Sequence, residues 1–259
     1  RERDKSHILK YLDKSIEFTD VTEEYGCFGI FGPKSRNLMT DIFGNYFETK
    51  NFPFGTGKNI NLLEINIWAQ RLSYVGELGW ELYVPINQLK KVYKKLIKEG
   101  EKYKICNAGV HAMDILRMEK GYLHWGHDIS PEENQYEAGL NFAISYKKEV
   151  DFIGKKALLK IKELKPKKKL VILSLLESLP GKPLLLHDEP IYCNGDIVGR
   201  TTSGNYSFNF KKSFCFGYID HNIIISANKE LQVEVEKVKY KAKLHSLPFQ
   251  DPNNKYIKS

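Results

Sequence analysis

The stretch Arg71–Pro85, RLSYVGELGWELYVP, sets two runs of strand-forming residues on either side of a loop that contains two glycines. Gly76 and Gly79 can take the positive φ that a tight turn requires. The sequence therefore predicts a β-hairpin closed by residues 76–79. The expected register sets Val75 opposite Trp80 and Tyr74 opposite Glu81.

The second of these runs has a strict alternation of residue types. A strand turns successive side chains to opposite faces, so Tyr83 shares a face with Glu81 while Trp80, Leu82 and Val84 face the other way. A carboxylate set among tyrosines can accept two parallel hydrogen bonds from the N–H and amino groups of a flat ring such as a pterin or guanine. An ordinary exposed strand face, on which Tyr and Glu meet water, fits the same pattern.

Composition limits the class of protein. The 259 residues are 42% hydrophobic and 12% aromatic, enough to fill a core. No apolar run approaches the roughly 20 residues of a membrane helix, so we expect no membrane partner. The net charge is +8, yet only six of the 40 basic residues are Arg, which favours a lysine-covered surface over nucleic-acid binding. The four scattered cysteines indicate a reducing compartment.

A Lys/Pro stretch, KELKPKKKL at residues 162–170, separates two regions of different texture. Before it, strands alternate with helices, among them PINQLKKVYKKLIKEGEKY and AGVHAMDILRMEKG, the latter closed by Gly121. After it, short strands dominate, and Asn194-Gly195 marks a hairpin. We therefore expect an α+β fold: a sheet and helix domain over 1–161 and a small antiparallel β-barrel or sandwich over 168–259.

Long ordered signatures carry a family resemblance. They are RLSYVGELGWELYVP, AGVHAMDILRMEKGYLHWGHDISPEENQYEAGL, DFIGKKAL, GDIVGRTTSG and GYID. With them the chain resembles the aminomethyltransferase (glycine-cleavage T-protein) superfamily, and most closely the folate-binding C-terminal part of dimethylglycine and sarcosine dehydrogenases. The resemblance implies transfer of a one-carbon unit to tetrahydrofolate, in the bacterial cytoplasm or the mitochondrial matrix. It also implies that any FAD belongs to an upstream domain.

The resemblance also implies a set of folate-binding residues. Tyr74, Glu81, Leu82 and Tyr83 match the pterin-binding positions, and Phe142 lies where relatives commonly have Tyr. Tyr256 matches a late Tyr that reaches the folate in T-proteins. In the T-protein branch an Arg occupies the position of Met113, so its absence favours the dehydrogenase-like branch.

Other charged and imidazole groups in the helical signature suggest structural roles. Arg117 and Glu119 are expected to form an ion pair that anchors their helix. His124 and His127 lack a third ligand at suitable spacing, so we expect no metal site.

The family pattern normally begins about a hundred residues earlier, with strands that carry an Asp expected to be catalytic. The catalytic residue is therefore unknown in this chain. We expect the missing N-terminal segment or an upstream flavin domain to be its partner, and the chain alone to bind folate poorly and to be inactive.

Three other functions remain open. One is a stand-alone glycine-cleavage-type aminomethyltransferase, and another is a non-catalytic regulatory protein on the same fold. The third is a tRNA-modifying or iron-sulfur-assembly folate protein, although the cysteine motif typical of that class is not evident.

Overall fold

The computed structural model describes residues 1–223, 230–246 and 248–259. These residues form two compact units. The first unit contains residues 1–73 and 78–106, and the second contains residues 74–77 and 107–259.

The first unit is a four-stranded antiparallel sheet with helices. Its helices are α1 (Glu2–Tyr11), α2 (Ser35–Phe43) and α3 (Leu89–Gly100), with short 3-10 turns at Gly44–Phe47, Ile86–Gln88 and Glu101–Tyr103. Its strands are β1 (Tyr25–Phe31), β2 (Gly57–Leu62), β3 (Ile65–Gln70) and β4 (Gly79–Pro85). The strand order β1-β4-β3-β2 makes β4 a central strand.

One face of this sheet is the core of the first unit. Trp80, Leu82 and Val84 of β4 are fully buried there, as the alternation predicted. Val92 and Leu96 of α3 belong to the same cluster. The buried face of α3 therefore covers the apolar side of the sheet, and the opposite side of β4 is left to Glu81 and Tyr83.

The predicted hairpin register is wrong. Strand β4 pairs with β1 and β3, so the residue opposite Glu81 is Gly29 on one side and Gln70 on the other. Residues 74–77 belong to the second unit, where a Cβ on Gly76 would lie 2.7 Å from the Lys120 side chain. The close packing of Gly76 against Lys120 is a contact within the second unit.

The second unit contains a closed β-barrel, which confirms the predicted α+β class. Its helices are α4 (Val110–Glu119) and α5 (Lys155–Glu163), with a 3-10 turn at Asn141–Ala143. Its strands are β5 (Lys168–Leu175), β6 (Pro190–Cys193), β7 (Asp196–Ser207), β8 (Lys212–Asp220), β9 (Leu231–Val235) and β10 (Val238–His245). They close in the order β10-β5-β8-β7-β6-β9.

Two turns in the second unit form where the sequence predicted them. Asn194 and Gly195 both have positive φ, 53° and 95°, and they join β6 to β7 as predicted. Gly121, with φ of 79°, follows the end of α4.

The boundary between the two compact units does not coincide with the Lys/Pro stretch. The barrel begins at Lys168, but residues 107–161 lie in the same unit as the barrel. The predicted division at the Lys/Pro stretch, into 1–161 and 168–259, therefore stays a prediction. Within the described ranges, no helix is both long and apolar enough to cross a membrane.

Arg117 of α4 is at the centre of a buried polar network. It donates to Asp128, to Asp114 at 2.9 Å and to Ser203 of β7 at 2.8 Å. Asp128 has no exposed side-chain surface and also accepts from Ser203 at 2.7 Å. These contacts tie α4 to the barrel within the second unit.

The predicted pairing of Arg117 with Glu119 is wrong. Glu119 is buried as well, but it accepts from Ser207 at 2.6 Å and from Asn209 at 2.9 Å. The two charges have separate partners because each finds polar groups of the barrel.

Removing Asp128, the fully buried acidic partner of Arg117, should destabilise the protein strongly. We expect Asp128→Ala to cost about 3 to 5 kcal/mol, since it leaves a buried guanidinium without its fully buried counter-charge. Asp114→Ala, at a carboxylate that is 28% exposed, should cost about 1 kcal/mol or less. Urea unfolding of both variants measures the difference. Equal losses would show that Asp128 does not hold the network together.

Candidate active site: the open face of the first sheet

Glu81 is half-buried in the middle of the central strand β4. Tyr83 lies on the same face, which confirms the predicted alternation, and its hydroxyl donates to Glu81 Oε2 at 2.8 Å. Burial raises the pKa of Tyr83, and the hydrogen bond to Glu81 raises it further. The phenol therefore stays protonated and holds the carboxylate as a donor.

The Glu81 carboxylate keeps unused acceptor capacity. Among the residues that the structure describes, Tyr83 is its one hydrogen-bond donor. An ionised carboxylate can accept about four hydrogen bonds. The group thus fits a ligand edge that offers two N–H donors side by side.

An aromatic ring lies beside this carboxylate. A Cβ on Gly29, the residue opposite Glu81 on β1, would come within 2.4 Å of the Phe31 ring. The glycine gives Phe31 room to lie over the sheet next to Glu81. Phe31 was not among the residues predicted from the sequence, where its one signal was the period-two spacing from Gly29 in YGCFGIF.

Leu82 has a different environment from its neighbours. Its side chain is fully buried in the core on the opposite face from Glu81 and Tyr83. A ligand on the open face can meet only its backbone.

The other predicted folate-binding residues belong to the second unit. Tyr74 is half-buried, donates to the Leu123 carbonyl at 3.2 Å and stacks on Tyr122 with ring centroids 6.4 Å apart. Burial raises the pKa of Tyr74. Tyr122 was missed in the sequence, where the signal was an aromatic residue directly after the helix-ending glycine.

Phe142 and Tyr256 are the most accessible members of the predicted set. Phe142 is 82% exposed in a 3-10 turn. Tyr256 is 61% exposed, and its backbone N–H donates to the Asp251 carboxylate at 3.0 Å. Both rings are free to contact a ligand, and their role stays a prediction.

A cavity of about 690 Å³ lies in the first unit. Its floor is the open face of the sheet, and Tyr83 lines both this cavity and the surroundings of Glu81. Residues of α1 and of segment 18–22 form its walls. Within the described residues, no cluster of three or more His, Cys, Asp or Glu side chains could hold a metal ion.

Cys27, opposite Tyr83 on β1, reports on the charge of Glu81. Cys27 is accessible to water, and it lines the cavity. Burial, and to a smaller extent the negative charge of Glu81, raises the pKa of its thiol to about 11. At pH 8 only about one thiol in a thousand would be ionised.

We therefore expect Cys27 to react slowly with iodoacetamide at pH 8, and more slowly than the exposed Cys106. Glu81→Gln removes a negative charge, so it should lower the pKa of Cys27 and speed its alkylation, while Cys106 is unchanged. Peptide mass spectrometry follows both sites in one sample. A Cys27 rate that is unchanged or falls in Glu81→Gln would contradict this electrostatic coupling.

Comparison with known proteins gives the relatives of the chain. It is 34% identical over 258 residues to mitochondrial sarcosine dehydrogenase of Mus musculus, covering 97% of this chain and 28% of that protein. It is 31% identical over 250 residues to mitochondrial dimethylglycine dehydrogenase of Mus musculus, covering 94% of this chain and 28% of that protein. An aminomethyltransferase of Listeria monocytogenes is 32% identical over 247 residues, which cover 95% and 66% of the two chains. The chain thus spans less than a third of the dehydrogenases it matches.

A solved structure shares the fold. The glycine cleavage system aminomethyltransferase T from Bartonella henselae superposes with a TM-score of 0.73 at 24% identity, over 85% of this chain and 58% of that one. The GCVT N-terminal domain model matches residues 1–148, and the model of the glycine cleavage T-protein C-terminal barrel domain matches residues 168–251. Matches over more than half of its length show that the chain belongs to the glycine cleavage T-protein family.

Proposed function

We propose that the chain is the folate-binding part of an enzyme that transfers one-carbon units to tetrahydrofolate and is similar to dimethylglycine and sarcosine dehydrogenases. One observation carries the proposal. In a chain of this family, a half-buried carboxylate, Glu81, is held by Tyr83 on an open sheet face and keeps acceptor capacity.

The chemistry of the pterin suits this carboxylate. The pyrimidine edge of tetrahydrofolate offers a ring N–H and an exocyclic amino group side by side. An ionised carboxylate accepts both as parallel, charge-assisted hydrogen bonds. Tyr83 fixes the orientation of Glu81 before the ligand arrives, which lowers the entropy cost of binding.

Recognition of the pterin occupies Glu81, so we assign it no proton-transfer role. Proton movement on the folate amines requires a separate acid or base near the reacting nitrogens. No catalytic residue is assigned in this chain. Tyr74, Phe142 and Tyr256 are proposed as further folate contacts on the resemblance alone.

Two kinds of whole protein could contain this chain. We favour the dehydrogenase-like kind because Met113 replaces the Arg of the transferase branch. In that case, oxidation of the amine and its FAD would belong to a flavin domain outside this chain. The alternative is a stand-alone aminomethyltransferase, which the Listeria monocytogenes relative supports.

Glu81→Gln tests the proposal. The amide cannot accept two parallel charge-assisted hydrogen bonds, so tetrahydrofolate binding should weaken by about 1.5 to 3 kcal/mol. Isothermal titration calorimetry of the complete protein under anaerobic conditions measures the loss.

Glu77→Gln is the matched control. Glu77 lies in the second unit, where burial and the charges of Glu119 and Asp251 raise its pKa. This variant removes the same charge and should keep its folate affinity within about twofold. Equal losses in the two variants, or no loss in Glu81→Gln, would reject Glu81 as the pterin acceptor.

A further inference from the structure

Residues 147–169, which we call the lysine segment, carry most of the positive charge of the chain. The segment has ten lysines, three acidic residues and no arginine, a net charge of +7 against +8 for the whole chain. Among the described residues, Lys168 is the one member with an ion-pair partner, the carboxylate of Glu133. Like charges gathered on one surface repel each other and oppose folding. Such a patch is typical of a surface that meets an anionic partner.

The lysine segment folds back on itself within the second unit. Lys155 of α5 donates to the Lys148 carbonyl at 3.4 Å. The Lys162 ammonium group, on the last turn of α5, lies 5.0 Å from the centre of the Tyr146 ring. These contacts bring the first lysines of the segment against α5, so the charges belong to one local surface.

Exposed apolar side chains lie among these lysines. Helix α5 has no buried residue, and its apolar side chains Leu158 and Ile161 are half-buried. Four larger apolar residues of the segment are exposed, by 43 to 68%: Val150, Ile153, Leu159 and Leu164. Lysines mixed with exposed aliphatic side chains are typical of segments that lie at a membrane surface.

The residue types favour a lipid surface over nucleic acid or protein. Nucleic-acid sites use arginine to contact phosphates and bases, and the lysine segment has none. Protein interfaces are enriched in arginine and aromatic residues and depleted in lysine. At a bilayer, by contrast, lysine ammonium groups meet anionic headgroups while aliphatic side chains enter the boundary of the acyl chains.

From these observations we propose that the lysine segment docks the protein on the surface of a membrane that contains anionic phospholipids. The lysines contact the headgroups, and the side chains that insert between them are Val150, Ile153, Leu159 and Leu164. This contact needs no spanning helix, whereas the expectation of no membrane partner rests on the lack of a spanning segment alone. The proposal is independent of folate binding, because the segment contains none of the proposed folate contacts.

Charge reversal on α5 tests the role of the lysines. Lys156→Glu/Lys160→Glu changes two exposed lysines that lie about one helical turn apart. Each lysine near an anionic surface contributes about fivefold to membrane affinity, so this double variant should bind anionic vesicles at least about 25-fold more weakly. Cosedimentation of the complete protein with vesicles of phosphatidylcholine and about 30% phosphatidylglycerol measures the affinity.

Lys90→Glu/Lys94→Glu is the matched control. It makes the same charge change at two exposed lysines with the same spacing on α3, in the first unit. Its affinity for the vesicles should stay within about threefold of that of the wild type, because at about 0.1 M salt charges are screened beyond about 10 Å. Equal losses in the two double variants would show that net charge alone draws the protein to the vesicles, and would overturn the proposal.

Leu164→Ser tests insertion into the bilayer. An inserted leucine buries apolar surface, so this variant should bind the anionic vesicles about fivefold more weakly or worse. Its remaining binding should still be lost when the salt is raised from about 0.1 M to about 1 M, because salt screens the lysine contacts. Unchanged affinity in Leu164→Ser would contradict insertion of the apolar side chains.

Two results with the wild type would also overturn the proposal. One is binding to vesicles of phosphatidylcholine alone that is as tight as binding to the anionic vesicles, or no binding to either. The other is tighter binding to a single-stranded DNA oligonucleotide than to the anionic vesicles, since the partner would then be nucleic acid. Thermal melting checks that the variants are folded. If Lys156→Glu/Lys160→Glu is not, Lys156→Ala/Lys160→Ala replaces it with the same expected loss of about 25-fold, since alanine favours the helix.

Discussion

The burial of one face of strand β4 is the constraint on which the candidate site depends. Trp80, Leu82 and Val84 have no exposed surface, and they pack with α2 and α3 side chains in one core cluster. A slip of one residue would turn these side chains to the open face and bury Glu81. Because a buried unpaired carboxylate is costly, the packing of the core fixes where the carboxylate is presented.

In the second unit a buried polar network fixes the position of α4, as apolar packing fixes β4 in the first unit. Arg117 is 1% exposed and reaches the Ser203 hydroxyl of β7, so the position of α4 against the barrel depends on a hydrogen-bond network. Buried ion pairs contribute little net stability compared with apolar packing, but they tolerate few alternative arrangements. We interpret the network as the device that sets α4, and with it Tyr122, whose carbonyl also accepts from Arg117.

The sequence predicted those features that depend on local pattern. The alternation in WELYV identified the two faces of β4, and Asn194-Gly195 identified a hairpin, because both depend on neighbouring residues alone. The partners of β4 could not be predicted in this way. Its pairing with β1 joins residues about fifty positions apart, and the choice between that pairing and a local hairpin depends on packing in both units.

Separation along the sequence also explains the other differences between the predictions and the structure. Arg117 and Glu119 are close in sequence, but their hydrogen-bond partners Ser203 and Ser207 lie 86 and 88 residues away. The cavity combines α1 with all four strands of the first sheet and had no linear signature. The resemblance to a family named the candidate residues, whereas only the structure showed that the Tyr83 hydroxyl donates to Glu81.

Glu81 as the acceptor for the pterin is the central proposal for this protein. A crystal structure of the complete protein with tetrahydrofolate bound tests this claim most directly. We predict both carboxylate oxygens of Glu81 within about 3 Å of the pterin ring N–H and amino nitrogens, with the Tyr83 hydroxyl still donating to Glu81. A pterin bound elsewhere, or one whose amino edge faces water while Glu81 stays free, would contradict it.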